Sequence, residues 1–537
     1  MIFAMEQFVS SGTQDISMSA VLQECATAPA MPRFRAIADL VREHAAARPW
    51  LAALVQGERR VSWGQLDAMA DRIAASLQRD GVRPRERIAI CGANSLEYAA
   101  LFIGGLRAGA AVAPVPAGAQ PAQLAAMVAD SGARHFFADA GVPPFETAAR
   151  RIFMDGSAQP SLQAWLLPEG AKPKPVTVQP DWPFNIIYSS GTTGTPKGIV
   201  QPHSMRWGHV ARASNYGYGP DAVTILATSL CSNTTLVCFF PTIAGGGCVV
   251  LCPPKFDAAT YVRIAQQERA THTMLVPVQY RRIVALPGFD GFDLSSFHLK
   301  FCTSAPFHAD LKADILRRWP GGLVEFYGMT EGGGSCILEA HNHPDKLHTV
   351  GKPPEGHDLR VIDEQERELA CGAVGEIVGR SGAMMTAYHN QPGLTRAAEW
   401  YDAHGNRFIR TGDVGRFDED GFLTLMDRRK DMVISGGFNV YPSDLEAVLR
   451  RHPAVTDAAV VGVPSQEWGE TPVAFVVPAT GAPSPGELRA WANAQLGKTQ
   501  RLADVRYVDE LPRSDIGKVL KRELRERYVA SARHGAH

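Results

Sequence analysis

The sequence predicts an α/β protein with a large N-terminal domain of βαβ-type sheets, a β-barrel-like region and a small α+β C-terminal domain. The chain of 537 residues is too long for one hydrophobic core, which favours two or more domains. Its first third alternates apolar runs of strand length with segments of helical periodicity. From about Val350, short strand-like runs separated by Gly and Asp replace that alternation and indicate antiparallel strands.

The first elements can be assigned in chain order. Apolar residues from Phe34 to Val41 have helical spacing, and a capping box at Ser62 and Gln65 begins a second helix that ends at Gly81. A strand, a helix and a strand are expected next, at Arg87–Cys91, Ser95–Arg107 and Ala111–Val115. Strands separated by helices of this length indicate βαβ units and a mostly parallel sheet.

Strand-like runs resume after a Pro- and Lys-rich stretch at 168–180. The runs expected as strands are Thr224–Ala227, Phe297–Cys302, Leu323–Phe326, Leu359–Ile362, Glu376–Val378 and Phe422–Leu425. A boundary is expected at the charged and exposed run 427–431, beyond which Ser443 and Glu446 match a second capping box. These features predict a loosely ordered leader at 1–33, an N-terminal domain at 34–427, a hinge at 428–430 and a C-terminal domain at 431–537.

Composition excludes several classes of function. The formal net charge is −1 and no Lys/Arg run occurs, so a nucleic-acid partner is not expected. No apolar span reaches membrane length, and no signal peptide is evident. The nine cysteines contain no CxxC pair, which favours reduced thiols and a cytoplasmic location.

The first candidate for chemistry is the Gly-rich segment from Ser189 to Gly198, which follows a short apolar run. Glycine lets backbone N–H groups converge on an anion, Thr and Ser hydroxyls add donors, and Lys197 adds a positive charge. The segment does not match the Walker A pattern. On its own it fits a polyphosphate loop and an inert connector equally well.

Three further segments favour the phosphate-loop alternative. Tyr327 and Glu331 pair an aromatic ring with a carboxylate, as a purine and Mg²⁺ would require. Asp413 ends a polar turn and could accept bonds from a ribose diol, while Lys518 follows a tight turn at a loop tip. Each residue also has an ordinary explanation: a core tyrosine, a surface glutamate, a turn aspartate and a solvated lysine.

Taken together, these segments carry a family resemblance. In order and spacing, YSSGTTGTPKG, YGMTE, RTGD, DRRKDMVISGGFNVYP and LPRSDIGK resemble the motifs of the adenylate-forming superfamily of acyl-CoA synthetases, nonribosomal adenylation domains and luciferases. The resemblance spans Phe34 to Val529 and is closest to a carboxylate–CoA ligase. It implies an enzyme that forms an acyl-AMP from a carboxylic acid and Mg·ATP, releases pyrophosphate and passes the acyl group to a thiol.

The resemblance also implies roles for particular residues. For ATP, it assigns phosphate contacts to Ser189, Ser190, Gly191, Thr192, Thr193, Gly194, Thr195 and Lys197, adenine contacts to Ser304, Ala305, Pro306 and Tyr327, and ribose contacts to Asp413 and Arg428. For catalysis, it assigns Thr330 to the α-phosphate, Glu331 to Mg²⁺ and Lys518 to the carboxylate and α-phosphate. The C-terminal domain is expected to be mobile about Lys430, and Ser435, Gly436 and Gly437 are expected to line the tunnel for coenzyme A.

The acid pocket departs from common family patterns. No Asp or Glu lies between Asp221 and Asp257 to bind a substrate amine, which disfavours amino acids, and Cys231-Ser232 replaces the usual aromatic–His pair. The expected pocket wall consists of His203, Trp207, Asn233, Thr234, Phe239, Cys302, Gly332, Gly333 and Gly334. The three glycines either leave room for a bulky group or form a plain turn, and the apolar faces suit an aryl or medium-chain fatty acid.

The expected acceptor is coenzyme A, because only 19 residues follow Lys518 and no carrier domain is present among them. The alternative is a stand-alone adenylating enzyme that loads a separate carrier protein. A non-catalytic nucleotide sensor is disfavoured by the presence of Glu331 and Lys518. The remaining partner predictions are a small carboxylic acid and, as an option, a second copy of the chain in a homodimer.

Overall fold

The computed structural model describes residues 33–189, 197–428, 431–435, 438–465, 468–497, 500–514 and 517–534. Almost all of the predicted leader, residues 1–32, lies outside this range. The chain from Phe34 onward forms one compact unit.

The strands of the described chain are numbered in order. They are β1 Ala52–Gln56, β2 Arg59–Ser62, β3 Arg87–Cys91, β4 Ala111–Val115, β5 His135–Ala138, β6 Arg150–Phe153, β7 Pro183–Ser189, β8 Lys197–Pro202, β9 Val223–Leu226, β10 Cys248–Leu251, β11 His272–Leu275, β12 Leu299–Cys302, β13 Gly322–Tyr327, β14 Cys336–Glu339, β15 Asp358–Ile362, β16 Gly375–Arg380, β17 Ala387–Tyr388, β18 Glu399–Tyr401, β19 Arg407–Phe417, β20 Leu423–Arg428, β21 Val433–Ser435, β22 Phe438–Val440, β23 Val455–Ser465, β24 Gly469–Pro478 and β25 Asp504–Tyr507.

The helices are numbered in the same way. They are α1 Ile37–Ala47, α2 Trp63–Arg79, α3 Leu96–Arg107, α4 Pro121–Ser131, α5 Leu162–Trp165, α6 His203–Ala213, α7 Asn233–Gly245, α8 Ala258–Gln267, α9 Pro277–Val284, α10 Ala309–Arg318, α11 Pro392–Ala397, α12 Pro442–Arg450, α13 Pro485–Asn493 and α14 Lys521–His534. No helix within the described ranges combines the length and apolar character needed to cross a bilayer.

Two large sheets form the framework of the molecule. One has eight strands in the order β14-β13-β12-β11-β9-β10-β1-β2, and the other has seven in the order β17-β8-β7-β4-β3-β5-β6. In the first, only the outer pairs β1–β2 and β13–β14 are antiparallel. The predicted βαβ arrangement with mostly parallel strands is therefore confirmed.

The main core lies between these two sheets. Its buried cluster joins residues of α1, α2, α3 and α7 to strands from both sheets. Every residue of α3 except Glu97 is buried, and a side chain at Gly104 would meet Ile73 at 2.6 Å. Helix α2 begins at the predicted capping box. The Ser62 side chain accepts from the Gln65 N–H, and the Gln65 side chain accepts from the Ser62 N–H at 2.9 Å.

Two smaller sheets complete the fold. The expected β-barrel-like region takes the form of a five-stranded antiparallel sheet, β15-β16-β19-β18 with β20 beside β19. The last sheet, β22-β21-β24-β23 with β25 beside β24, packs with α12, α13 and α14 in the C-terminal part of the chain. This α+β composition of the C-terminal part agrees with the prediction.

Two details around the predicted hinge were wrong. The Ser443 side chain does not cap α12, because the helix begins two residues earlier than such a cap requires, at Pro442, with Tyr441 as its N-cap residue. Ser443 instead donates its backbone N–H to Asp427 Oδ2 at 3.0 Å and its hydroxyl to the Met426 carbonyl. Asp427 is not exposed either: its side chain is 8% accessible, and burial raises the pKa of its carboxyl.

Candidate active site

The candidate site lies at one edge of the eight-stranded sheet. Strands β9, β11, β12 and β13 are parallel neighbours, so their carboxyl ends meet at the same edge. The segments that leave these ends contain many of the residues singled out in the sequence: Asn233, Thr234, Ser304, Ala305, Pro306, Thr330 and Glu331. Topology therefore gathers residues that are distant in sequence.

The predicted adenosine residues include a three-membered constellation. Tyr327, at the end of β13, donates its hydroxyl to Asp413 Oδ2 at 2.9 Å. Arg428 Nε, at the end of β20, lies 3.1 Å from Asp413 Oδ1. Burial and the Asp413 carboxylate raise the pKa of the Tyr327 hydroxyl well above its usual value, so it stays protonated and donates. Asp413 is thus held in one orientation by two donors.

A strained turn follows β12 on the same edge. Ser304 has φ of 81°, in the left-handed region that a non-glycine residue seldom adopts. Thr303 Oγ1 donates to the Phe326 carbonyl at 2.7 Å and ties the turn to β13. The Ser304 and Thr234 hydroxyl oxygens lie 2.5 Å apart, which joins the predicted adenine turn to the start of α7.

The predicted metal residue Glu331 has a fixed neighbour that the sequence did not reveal. Tyr388 in β17 donates its hydroxyl to Glu331 Oε1 at 2.8 Å. Lys197 Nζ lies 5.5 Å from the centroid of the same ring, so Lys197 of the phosphate-loop segment and Glu331 both lie against Tyr388. No sequence motif marks Tyr388, and it lies beside Glu331 because β17 pairs with β8.

A buried polar cluster connects the strands of the phosphate loop with the Thr330 turn. Gln201, in β8, donates to the Thr330 carbonyl at 2.6 Å and accepts from Arg206 at 2.6 Å. Arg206 also donates to Asn185 Oδ1 at 3.2 Å and Asn233 Oδ1 at 3.1 Å. Such a network fixes the relative positions of β7, β8, α6, α7 and the turn.

The glycines at 332–334 form a tight turn, the second of the two alternatives that the sequence left open. Gly332 has φ of 75°, and a Cβ there would lie 2.1 Å from the Ala383 carbonyl oxygen. At Gly334 a Cβ would meet Leu359 at 2.3 Å. The positions that a Cβ would take on Gly332 and Gly334 are filled by backbone and core, so glycine is required there. Their place in the wall of the acid pocket stays a prediction.

Comparison with known proteins identifies the family. The family model of AMP-binding enzymes matches residues 41–389, and the model of the C-terminal domain of these enzymes matches residues 444–518. The chain belongs to the AMP-binding enzyme family. This membership confirms the predicted adenylate-forming acid–thiol ligase, a class whose cofactors are ATP, Mg²⁺ and coenzyme A.

Similar AMP-binding enzymes cover almost the whole chain. The fatty acid–[acyl-carrier-protein] ligase ScoC of Streptomyces coeruleorubidus is 30% identical over 93% of this chain and 97% of its own length. A feruloyl-CoA synthase of an Amycolatopsis species is 32% identical over 89% of this chain and 96% of its own. MatB from Rhodopseudomonas palustris, solved with ATP bound, is 28% identical and has a TM-score of 0.80. The match covers 91% of this chain and 99% of the MatB chain.

The described residues suit the groups that an AMP-binding enzyme uses. Asp413, with its two donors, presents an ordered carboxylate for a ribose, and Glu331 presents one for Mg²⁺. No three His, Cys, Asp or Glu side chains gather for a metal ion among the described residues. This arrangement suits Mg²⁺, which commonly takes one or two carboxylates together with substrate phosphates and water. The individual residue roles stay predictions.

The turn that carries Lys518 lies against the N-terminal part of the enzyme. A Cβ at Gly517, where φ is 77°, would lie 3.2 Å from Val278 and 3.3 Å from Val276, at the start of α9. Within the turn, the Gly517 N–H donates to the Ser514 carbonyl at 2.8 Å, and the Lys518 N–H donates to the Ser514 hydroxyl at 3.2 Å. Lys518 is therefore presented by a hydrogen-bonded loop close to the carboxyl end of β11.

Four residues expected in the pocket wall lie in or against core clusters of the described chain. Phe239 and Cys302 are fully buried in the two main core clusters. Trp207 packs with Leu40 and Ala244, on the side of α6 that faces α1. His203 stacks edge-on with Phe184, and burial lowers its pKa to about 3. An apolar residue in a helix or at the end of a strand can belong to a pocket wall or to the core, and the sequence alone does not distinguish the two.

Part of the predicted site falls outside the described residues. This applies to Ser190–Thr195 of the phosphate loop, to Gly436 and Gly437, and to Lys430 at the hinge. Ser189 ends β7 in register with Lys197. Ser435 pairs with Phe438 and Gly469 within its own sheet.

Proposed function

We propose that this chain is a free-standing carboxylate–CoA ligase that activates an aryl or medium-chain fatty acid through an acyl-AMP, with release of AMP and pyrophosphate. The main support is the constellation of Tyr327, Asp413 and Arg428 beside the turn that carries Thr330 and Glu331. An ordered ribose-binding carboxylate next to a metal-binding carboxylate suits a reaction at the α-phosphate of ATP.

In the first half-reaction, a carboxylate oxygen attacks the α-phosphorus, the bond from this phosphorus to the α–β bridging oxygen breaks, and pyrophosphate leaves. Both reactants are anions, so the barrier is largely electrostatic and positioned cations lower it. We assign Lys518 to the attacking carboxylate and the α-phosphate, and Lys197 to the departing pyrophosphate. In the second, the coenzyme A sulfur attacks the acyl carbon, and the bond to AMP breaks.

The pocket residues support an acid without an α-amino group. No Asp or Glu occurs between Asp221 and Asp257, and the polar residues at the start of α7 are the neutral Asn233 and Thr234. An ammonium group placed there would lose its hydration without gaining a carboxylate partner.

The second candidate function is the loading of an acyl-carrier protein, which one relative's name favours, since ScoC is a fatty acid–[acyl-carrier-protein] ligase. A pyrophosphate-release screen over fatty, aryl and amino acids, with and without coenzyme A, separates the two. Formation of an acyl-CoA supports the ligase. Turnover that requires an added carrier protein supports the loader, and production of ADP with phosphate refutes both.

The Lys518→Ala variant tests the two-step assignment. It should lose adenylate formation, yet still convert a supplied acyl-AMP and coenzyme A into the thioester. Lys255→Ala, at an exposed lysine of the N-terminal domain, is the matched control and should keep both half-reactions. Equal loss of both half-reactions in Lys518→Ala would contradict the assignment.

We also propose a cytoplasmic location, because the eight described cysteines are free thiols and such thiols persist in a reducing compartment. A homodimer stays a prediction, which sedimentation at several concentrations would test.

A further inference from the structure

An arginine at the base of the Lys518 turn holds that turn together. Arg513 and Val519 form an isolated antiparallel bridge where the turn begins and ends. The Arg513 side chain donates from Nη1 to the Gly517 carbonyl at 2.7 Å. This contact adds to the two hydrogen bonds that the Gly517 and Lys518 N–H groups make with Ser514. Arg513 therefore fixes the peptide carbonyl immediately before the lysine that we assign to the α-phosphate.

Arg513 is itself oriented by a carboxylate from a distant segment. Its Nη2 donates to Asp457 Oδ2, in β23, at 2.6 Å. The register of β23 against β24 shifts between Val455 and Asp457, and an irregularity of this kind changes the direction in which a side chain points. The other carboxylate oxygen, Oδ1, accepts from the Ala458 N–H at 2.9 Å, which restricts the rotation of the carboxylate. Asp457 therefore orients the guanidinium that supports the turn.

The same carboxylate faces the N-terminal part of the enzyme. Arg281 Nη1, in α9, lies 3.7 Å from Asp457 Oδ2, the oxygen that accepts from Arg513. The start of α9 also lies against the turn, because a Cβ at Gly517 would be 3.2 Å from Val278. Arg281 falls within the match to the first family model, and Asp457 and Arg513 fall within the match to the second. One carboxylate therefore connects the turn in the C-terminal part of the chain with α9 in the N-terminal part.

We propose that Asp457 is a positioning residue for adenylate formation, because it fixes the Lys518 turn through Arg513 and holds that turn against α9 through Arg281. The inference rests on the proposed function and names what keeps Lys518 in place during the first half-reaction. Asp457 acts through the two arginines and not on the substrate. Since both reactants are anions, the rate depends on where the cation lies, and a displacement of about 1 Å can cost about 100-fold.

The two contacts of Asp457 differ in strength. The Arg513 contact is a short hydrogen bond between charged groups, and the two side chains are only 27% and 16% accessible. A hydrogen bond of this kind corresponds to about 10- to 150-fold. The Arg281 contact is longer and the arginine side chain is 37% accessible, so screening by solvent limits its effect to about two- to fivefold. Replacement of Asp457 should therefore slow adenylate formation much more than replacement of Arg281.

The test measures the two half-reactions separately, with octanoate and cinnamate as the acids. In Asp457→Asn and in Arg513→Met, pyrophosphate release on adenylate formation should slow about 10- to 100-fold. Conversion of a supplied acyl-AMP and coenzyme A into the thioester should change by less than about threefold, because Lys518 has no assigned role in that step. Arg281→Met should slow adenylate formation about two- to fivefold, and it should have no further effect once Asp457 is replaced.

Amide hydrogen exchange gives a second readout that needs no turnover. The N–H groups of Gly517 and Lys518 both donate to Ser514, so their exchange reports how often the turn opens. Exchange at these two amides should become at least about tenfold faster in Asp457→Asn and in Arg513→Met.

A matched control comes from the same sheet. Asp504 forms an ion pair of 2.7 Å with Arg506 within β25, and Asp504→Asn should change neither half-reaction nor the exchange of the turn. If Asp457→Asn slows both half-reactions equally, or slows neither, the positioning role is refuted and the ligase assignment stands. If Asp457→Asn does not fold, Arg281→Met decides, since adenylate formation at the wild-type rate would refute the proposal. If the wild type releases no pyrophosphate with either acid, the proposed function fails, and the positioning role fails with it.

Discussion

The variant Tyr388→Phe isolates the contact that orients the proposed Mg²⁺ carboxylate. It removes the hydroxyl that donates to Glu331 Oε1 at 2.8 Å and leaves the ring in place. A hydrogen bond to a charged group contributes about 1.5–3 kcal/mol, which corresponds to about 10- to 150-fold. Loss of the residue that orients a metal ligand commonly costs about 10- to 100-fold in metal affinity or activity. We therefore expect the Mg²⁺ concentration for half-maximal pyrophosphate release to rise at least about tenfold.

The chain offers a matched control for this experiment. Tyr401 also donates its hydroxyl to a glutamate, Glu399, at 3.0 Å, but it is an exposed residue in β18. Tyr401→Phe should leave the Mg²⁺ titration unchanged. An unshifted titration in folded Tyr388→Phe, or an equal shift in both variants, would refute the view that Tyr388 positions Glu331.

Three further predictions concern the nucleotide, the glycine turn and pH. Asp413→Asn should raise the KM for ATP about 10- to 100-fold and leave the KM for the acid unchanged, as initial-rate kinetics would show. Gly332→Ala should lower Tm well beyond Gly372→Ala in a melting experiment, because both residues have positive φ but only Gly332 faces an atom within 4 Å. Burial lowers the pKa of His272 in the folded protein to about 4, whereas its pKa in the unfolded chain is about 6.5. The buried neutral imidazole therefore contributes its full stability above about pH 6.5, and this contribution is lost as the pH falls toward 4. The fall in Tm between pH 7 and pH 5 should therefore be smaller in His272→Gln.

Periodicity and capping predicted most of the fold. Strand β3 occurs where an apolar run predicted it, and the Ser62 capping box begins α2. The same signal failed at Ser443, because Asp427 and the Met426 carbonyl compete for its donors from 16 and 17 residues away. A local pattern describes a helix start well only when no distant acceptor is available.

The motifs named candidate nucleotide-binding residues, but they did not predict how the side chains of those residues are held. Asp413 and Tyr327 were named separately, and their hydrogen bond spans 86 residues. Tyr388 was missed, since a lone tyrosine carries no signal until β17 pairs with β8. The acid pocket stays a prediction, because Trp207 and Phe239 have the apolar character of a pocket wall and the burial of core residues.

Acid specificity is harder to predict from sequence than family membership. No motif marks Arg206 on α6 as a core cation, yet its guanidinium is buried and donates to side-chain oxygens of Gln201, Asn185 and Asn233. These acceptors come from separate segments of the chain, which only the fold brings together. The tertiary structure therefore decides whether a polar side chain on such a helix serves the core or a ligand.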